Sequence, residues 1–206
     1  AWNGVDLGVF TGWLGERGFR DFAGSSVVHS VGGWASLAIL LIVGARAGRF
    51  DEHGNPREIS GSNIPLSALG VLLLWIGWFG FNGGSTLAMN DRVVPIVANT
   101  LFAGASGMTT ALIASYVLFR RAEVSAVING SLAGLVAITA GANAVSTFDA
   151  VVIGAIGGLV TLGAERILIR ARIDDAVGAI PVHLAGGIFG TLAVGIWGQP
   201  ELLGFD

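Results

Sequence analysis

The sequence predicts an all-α integral membrane fold, a multi-helix bundle of about six transmembrane helices with an inverted-topology repeat. Three observations predict it. The chain is 53% hydrophobic and only 12% charged, with a mean hydropathy of +0.74. That charge share is about half of what a soluble domain carries. The apolar residues gather into six long stretches, 23–46, 64–88, 93–119, 124–142, 148–169 and 176–197, separated by short polar breaks. Two of those stretches open on one shared pattern of residues, described below.

Each stretch is near or above the ~20 residues that a helix needs to cross a ~30 Å hydrocarbon core. None alternates with the period of a membrane β-barrel strand, and an open sheet cannot satisfy its backbone in lipid. The composition excludes a disordered chain, a disulfide-stapled scaffold and a nucleic-acid binder: the chain has no cysteine, no lysine, 33 glycines and a net charge of -3. It opens on Ala1 without an initiator methionine or a signal peptide, and it reads as a piece of a longer protein.

Span 1 follows Arg17 and Arg20 and ends at a loop, 47–63, flanked and occupied by Arg46, Arg49 and Arg57. Span 2 ends in an aromatic run, Trp75-Ile-Gly-Trp78-Phe79-Gly-Phe81-Asn82-Gly-Gly-Ser85, in which Trp75 and Trp78 fit an interfacial belt. Only Arg92 stands between spans 2 and 3, whereas Arg120 and Arg121 follow span 3. Span 4 is the shortest, extendable through Asn143–Ser146, and the break after it holds no arginine. Span 5 carries the small-residue pattern Gly154-Ala-Ile-Gly157-Gly158, which lets helix backbones approach closely. It leads into Arg166, Arg170 and Arg172. Span 6 contains Pro181, expected to bend or loosen the helix there.

Eight of the eleven arginines thus fall on alternate breaks. The positive-inside rule places loops 47–63, 120–123 and 170–175 in the cytoplasm and both chain ends outside. Span 1 then enters from outside and span 6 from inside. Both begin alike: Asp21-Phe-Ala-Gly-Ser-Ser-Val-Val-His29-Ser-Val-Gly-Gly33 and Asp175-Ala-Val-Gly-Ala-Ile-Pro-Val-His183-Leu-Ala-Gly-Gly187. Opposite entry makes this an inverted repeat, a construction that places the functional site near the membrane midplane. Span 6 closes a five-helix half, so span 1 is expected to close another, with about four helices preceding Ala1.

His29 and His183 lie one to two turns inside apolar spans, where an ionisable group is costly and points to function. Symmetry is expected to bring them together. Paired imidazoles suit a small, polar, near-neutral permeant or a proton relay. They suit a metal less well, since zinc wants a third ligand and His53 lies in the charged loop. Two histidines on two helices are also a haem geometry, although the Gly-Gly after each leaves little apolar wall. At the outer end of span 2, Phe81 and Ser85 are four residues apart and share a helix face that suits a small cation. Trp2 lies on the same side and supplies a second ring, with Trp13 as the alternative. Asp21 is placed to cap the start of span 1.

These residues resemble the ammonium transporter (Amt/Rh) family, its Amt branch in particular. The motifs are Asp21–His29, Gly77-Trp-Phe-Gly-Phe-Asn-Gly-Gly-Ser85, Ala98-Asn-Thr100, Asn129-Gly-Ser-Leu-Ala-Gly-Leu-Val-Ala-Ile-Thr139 and Asp174–His183. The resemblance implies eleven helices in two inverted halves plus a last helix, with residues 1–206 corresponding to helices five through ten. It implies a homotrimer with one hydrophobic pore per subunit, no cofactor, no metal and no enzymatic activity. On it, His29 and His183 match the paired pore histidines and Phe81 matches the inner of two gating phenylalanines. Ser85 and Trp2 match the outer ammonium site, and Asp21 matches a chiefly structural aspartate near it. The implied function is ammonium and methylammonium transport across the plasma or inner membrane. A PII-type signal protein is implied at the cytoplasmic loops 46–63, 120–123 and 166–175. Alternatives are an ammonium sensor fused to a signalling module and an Rh-type gas channel.

Overall fold

The computed structural model describes residues 12–204, and among them every regular element is helical. Helix α1 spans Val31–Val43, α2 Ile64–Gly84, α3 Val93–Phe119, α4 Val124–Ile138, α5 Thr147–Arg170, α6 Gly186–Trp197, and a last turn, α7, Pro200–Leu203. Two π-helical turns, Ser25–Ser30 and Ile180–Ala185, run directly into α1 and α6. They complete continuous apolar spans, Ser25–Val43 and Ile180–Trp197.

Local sequence explains several ends. Asn63 accepts the Leu66 amide at the start of α2, with Pro65 already in the first turn. Ser146 and Asp149 form a reciprocal capping box on α5. At the centre, α3, α4 and α5 pack backbone to backbone. A methyl group on Gly154 would sit 2.1 Å from the Ala103 carbonyl oxygen, and one on Gly158 would sit 2.5 Å from that of Gly107. The small-residue pattern of span 5 is therefore its contact with α3, through Gly154 and Gly158, and with α4, through Gly157. Helix α2 lies at the periphery, with Leu72, Leu73 and Ile76 exposed and only its Trp75–Trp78–Asn82 face turned inward.

The repeat is visible as structure. Asp21 accepts the amides of Gly24, Ser25, Ser26 and Val27, and Asp175 those of Val177, Gly178, Ala179 and Ile180. Each aspartate thus caps a π turn, with Gly24 and Gly178 taking the positive φ that the tight entry needs. The Gly-Gly doublets form the crossing. The Cβ site of Gly33 lies 2.5 Å from Leu184, and that of Gly187 lies 2.5 Å from the Ser25 carbonyl and 2.7 Å from the Ser30 hydroxyl. Leu184 and Ser30 are themselves equivalent positions of the repeat, so one contact is made twice. The bend expected at Pro181 is a π turn. The first copy makes the same turn with valine at the matching position, Val27, so proline is not what both turns share.

The span expected over 124–142 is helical only to Ile138. Fifteen residues rise about 22 Å, short of a ~30 Å core. The remainder crosses as an irregular segment whose polar groups are taken by other elements. Ser25 Oγ accepts the Ala140 amide and donates to the Val136 carbonyl, inserting itself into the α4 hydrogen-bond ladder. Phe22 and Ala23 amides donate to the carbonyls of Ala140 and Thr139, and the Gln199 amide to that of Ala144. Asn99 donates to the carbonyls of Ala142 and Val145 and accepts the Thr147 hydroxyl. Such backbone is tolerated at membrane depth only when buried in protein, and Gly141, Ala142, Ala144 and Val145 are all buried.

The arginine-rich breaks meet at one end. Arg46 forms a bidentate pair with Asp174, Nε to Oδ2 at 2.7 Å and Nη2 to Oδ1 at 2.9 Å, and Arg49 approaches Oδ1 at 3.2 Å. Arg172 reaches the His53 carbonyl. Loop 47–63 is thereby tied to the segment that precedes the second π turn.

Candidate functional site

His29 and His183 sit near the ends of their π turns, 154 residues apart in sequence, and their Nδ1 atoms lie 3.2 Å apart. The wider coil of a π turn carries each ring inward, where the Gly33 and Gly187 crossings remove the side chains that would hold the spans apart. One Nδ1 must donate and the other accept. The two rings are nearly parallel, at 5.2 Å between centroids and 20° between planes.

Their surroundings differ. Trp78 stacks on His29 at 5.0 Å and 13°, and Phe81 leans against it at 5.7 Å and 49°. His29 Nε2 is buried without a hydrogen-bond partner among the described residues. That leaves one imidazole nitrogen in an apolar slot, a donor or an acceptor according to which Nδ1 of the pair carries the proton. Among the described residues no group of three metal-ligating side chains occurs.

Helix α2 supplies the aromatic wall. Trp78 is 7% exposed and donates its indole N–H to Thr139 Oγ at 3.0 Å. Trp75 donates to Ser131 Oγ at 2.7 Å. The interfacial-belt reading of these two tryptophans is therefore corrected: both face the bundle, because each N–H finds a hydroxyl on α4 or just beyond it. Asn82 donates to Thr100 on α3, whose own hydroxyl goes to the Ile96 carbonyl.

Phe81 is 37% exposed. One turn further on, Ser85 donates its hydroxyl proton to the Phe81 carbonyl at 2.7 Å. Its oxygen therefore has lone pairs left to accept from a ligand. Ser85 shares a small pocket with Phe22, Asn90, Arg92 and Asn143. Phe22 follows Asp21, so the capping aspartate and the Ser85 face lie at one end of the molecule. Asp21 is 4% exposed and accepts the π-turn amides and the Ser26 hydroxyl. The Trp2 assignment lies outside the described residues. Trp13, the alternative, is 59% exposed.

The sequence grouped His29 with His183 and, separately at the outer end of span 2, Phe81 with Ser85 and Asp21; it did not single out Trp78 and Thr139 as parts of the site. The spacing Trp78, Asn82, Ser85 along one helical face was the available signal for Trp78. For Thr139 there was none.

Comparison with known proteins now gives this geometry a context. The family model described as Ammonium Transporter Family matches residues 2–204. A candidate ammonium transporter of Synechocystis sp. is 50% identical over 98% of this chain and 38% of its own length. Ammonium transporter Amt2 of Archaeoglobus fulgidus is 44% identical over 89% of this chain and 39% of its own. A solved structure titled Sensor Amt Protein superposes with a TM-score of 0.95 at 44% identity, over 98% of this chain and 50% of that one. The chain thus spans about two fifths of the length of these curated relatives.

Proposed function

This chain belongs to the ammonium transporter family, and from that premise we propose that it carries the paired-histidine centre and outer recruitment site of an ammonium transporter. The observation that carries the reading is the contact between His29 and His183 inside two apolar spans, with Trp78 and Phe81 against one ring. Ammonium, which can only donate hydrogen bonds, meets the Phe81 ring and the accepting oxygen of Ser85. Moving it bare through an apolar path is prohibitive, so it enters as ammonia and leaves its proton behind or on the histidines. The chemistry is transport, with no bond in the substrate made or broken beyond N–H.

In this reading residues 1–206 are part of a longer transporter domain that forms a homotrimer in the plasma or inner membrane. Loops 47–63, 120–123 and 170–175 are cytoplasmic and offer a face to a PII-type signal protein. The positive-inside pattern and the meeting of those loops through Arg46, Arg49, Arg172 and Asp174 support that orientation.

The test is His183→Ala in the full-length protein, assayed by methylammonium uptake in proteoliposomes. Loss of uptake or of its proton coupling, with the assembly intact, is expected. Unchanged uptake and unchanged discrimination against potassium sink the assignment. A second reading, an ammonium sensor, is favoured by the similarity to the solved sensor protein. The sequence beyond residue 206 separates the two, since a fused signalling module there favours sensing.

A further inference from the structure

We propose that Thr139 is a positioning residue for the histidine pair: its hydroxyl holds the Trp78 indole flat against His29 and so sets the tilt at which His29 meets His183. The proposal rests on the reading of that pair as the centre of the transport path.

The bonds form a closed circuit. Thr139 Oγ donates to the Leu135 carbonyl at 2.7 Å, which leaves its lone pairs to accept the Trp78 indole N–H at 3.0 Å. The indole is a donor only, and it is buried, so this single bond fixes the rotation of the ring about its side-chain torsions. The indole face then covers His29, with 13° between the planes. His29 has few other constraints. Its Nε2 has no hydrogen-bond partner among the described residues, its Nδ1 meets His183, and Phe81 touches it at an oblique 49°. The stacked indole is thus the main surface that sets the imidazole plane.

Thr139 is itself held from the His29 side. Helix α4 ends at Ile138, and Ser25 Oγ bridges the Val136 carbonyl and the Ala140 amide on either side of Thr139. Ser25 opens the π turn that carries His29 four residues later. The Ala23 amide adds a bond to the Thr139 carbonyl. One π turn therefore fixes both the imidazole and, through the end of α4, the group that orients its stacking partner. No equivalent holds for His183, against which no aromatic ring other than His29 is packed among the described residues.

The experiment uses the full-length protein in lipid, with Thr139→Val, Thr139→Ser and Trp78→Phe. Nitrogen-15 spectra of labelled tryptophan and histidine side chains report the indole N–H and the His29 ring, and methylammonium flux reports function. Thr139→Val is expected to shift both the indole and the His29 ring signals. It should lower the maximal flux about fivefold, the factor that one neutral hydrogen bond corresponds to. The concentration for half-maximal flux should change less than the maximal flux, since Ser85 is untouched although Phe81 packs against both rings. Thr139→Ser should restore all three. Trp78→Phe removes the same bond from the other end, so it should lower flux similarly, and the double variant should be no worse than either single one. If Thr139→Val does not assemble, Trp78→Phe alone is expected to shift the His29 signals and lower the flux, and Thr139→Ser to leave both at their wild-type values. The proposal is overturned if the indole bond is lost while the His29 signals and flux stay where they were. It is also overturned if serine fails to rescue or the two substitutions add. Unchanged flux in His29→Ala would instead remove the transport reading and leave the spectroscopic result for Thr139 standing.

Discussion

The two π turns share a backbone but not an environment. In both, an aspartate caps the entry, a glycine three residues on takes positive φ, a histidine follows at the eighth position, and the second glycine of a doublet makes the crossing. Around the first, Ser25 grips the end of α4 and Trp78 covers His29. Before the second, Asp174 engages Arg46 and Arg49 of the opposing loop. The repeat thus builds the crossing that pairs the rings, and the unrepeated residues decide what each end does. One turn is tied to the aromatic wall, the other to the arginine-rich loop.

The largest effect should come from breaking what the copies share. Gly33→Ala and Gly187→Ala each drive a methyl group to 2.5 Å from atoms of the other turn, largely backbone that cannot step aside. Each is expected to cost about 1–3 kcal/mol, as overpacking does. Gly32→Ala meets nothing within 4 Å and Gly186→Ala nothing closer than 3.6 Å. Thermal melting of the purified protein checks this, and equal melting of all four variants would falsify the crossing argument.

A middle effect should separate the copies. Hydrogen bonding from the Arg46 guanidinium holds the Asp174 carboxyl down to about 2 from its ordinary 3.8. A depressed folded-state value means the contact's stabilisation is full above pH ~4 and is lost as pH falls towards 2. Pepsin cleavage within loop 47–63 is therefore expected to accelerate between pH 4 and 2. Asp174→Asn should cleave fast across that range. A loop whose cleavage has the same pH profile in both proteins would show that the ion pair does not hold it.

The smallest effect lies at Ser85. Ser85→Ala removes one acceptor for a charged donor and should weaken outer ammonium binding by about 1–2 kcal/mol. Uptake at limiting substrate measures it, and no change there counts against the site.

Much of this was legible in the sequence because it is periodic or repeated. The alternation of Arg46–Arg57, Arg120–Arg121 and Arg166–Arg172 groups those breaks at one end, where two of them meet, and the aspartate–histidine–glycine pattern reports a contact made twice. Neither requires knowing the partner. The end of α4 was illegible for the opposite reason. Gly141 and Asn143 mark a break near its end but not one as early as Ile138, since the groups that claim the carbonyls of 136–145 come from residues 22–25, 99 and 199. Trp75 and Trp78 misled for a related reason: an indole fits an interface or a buried hydroxyl equally well, and Ser131 and Thr139 are more than fifty residues away.

That scattered clasp on the 139–145 segment also ties together residues far apart along the chain. The carbonyl of Ala144 is paired by the amide of Gln199, which leaves the ribosome 55 residues later. The far end of the described chain therefore closes a gap left midway along it. Helix α4 thus ends on a segment completed from both directions along the chain, by residues 22–25 and Asn99 before it and by Gln199 after it.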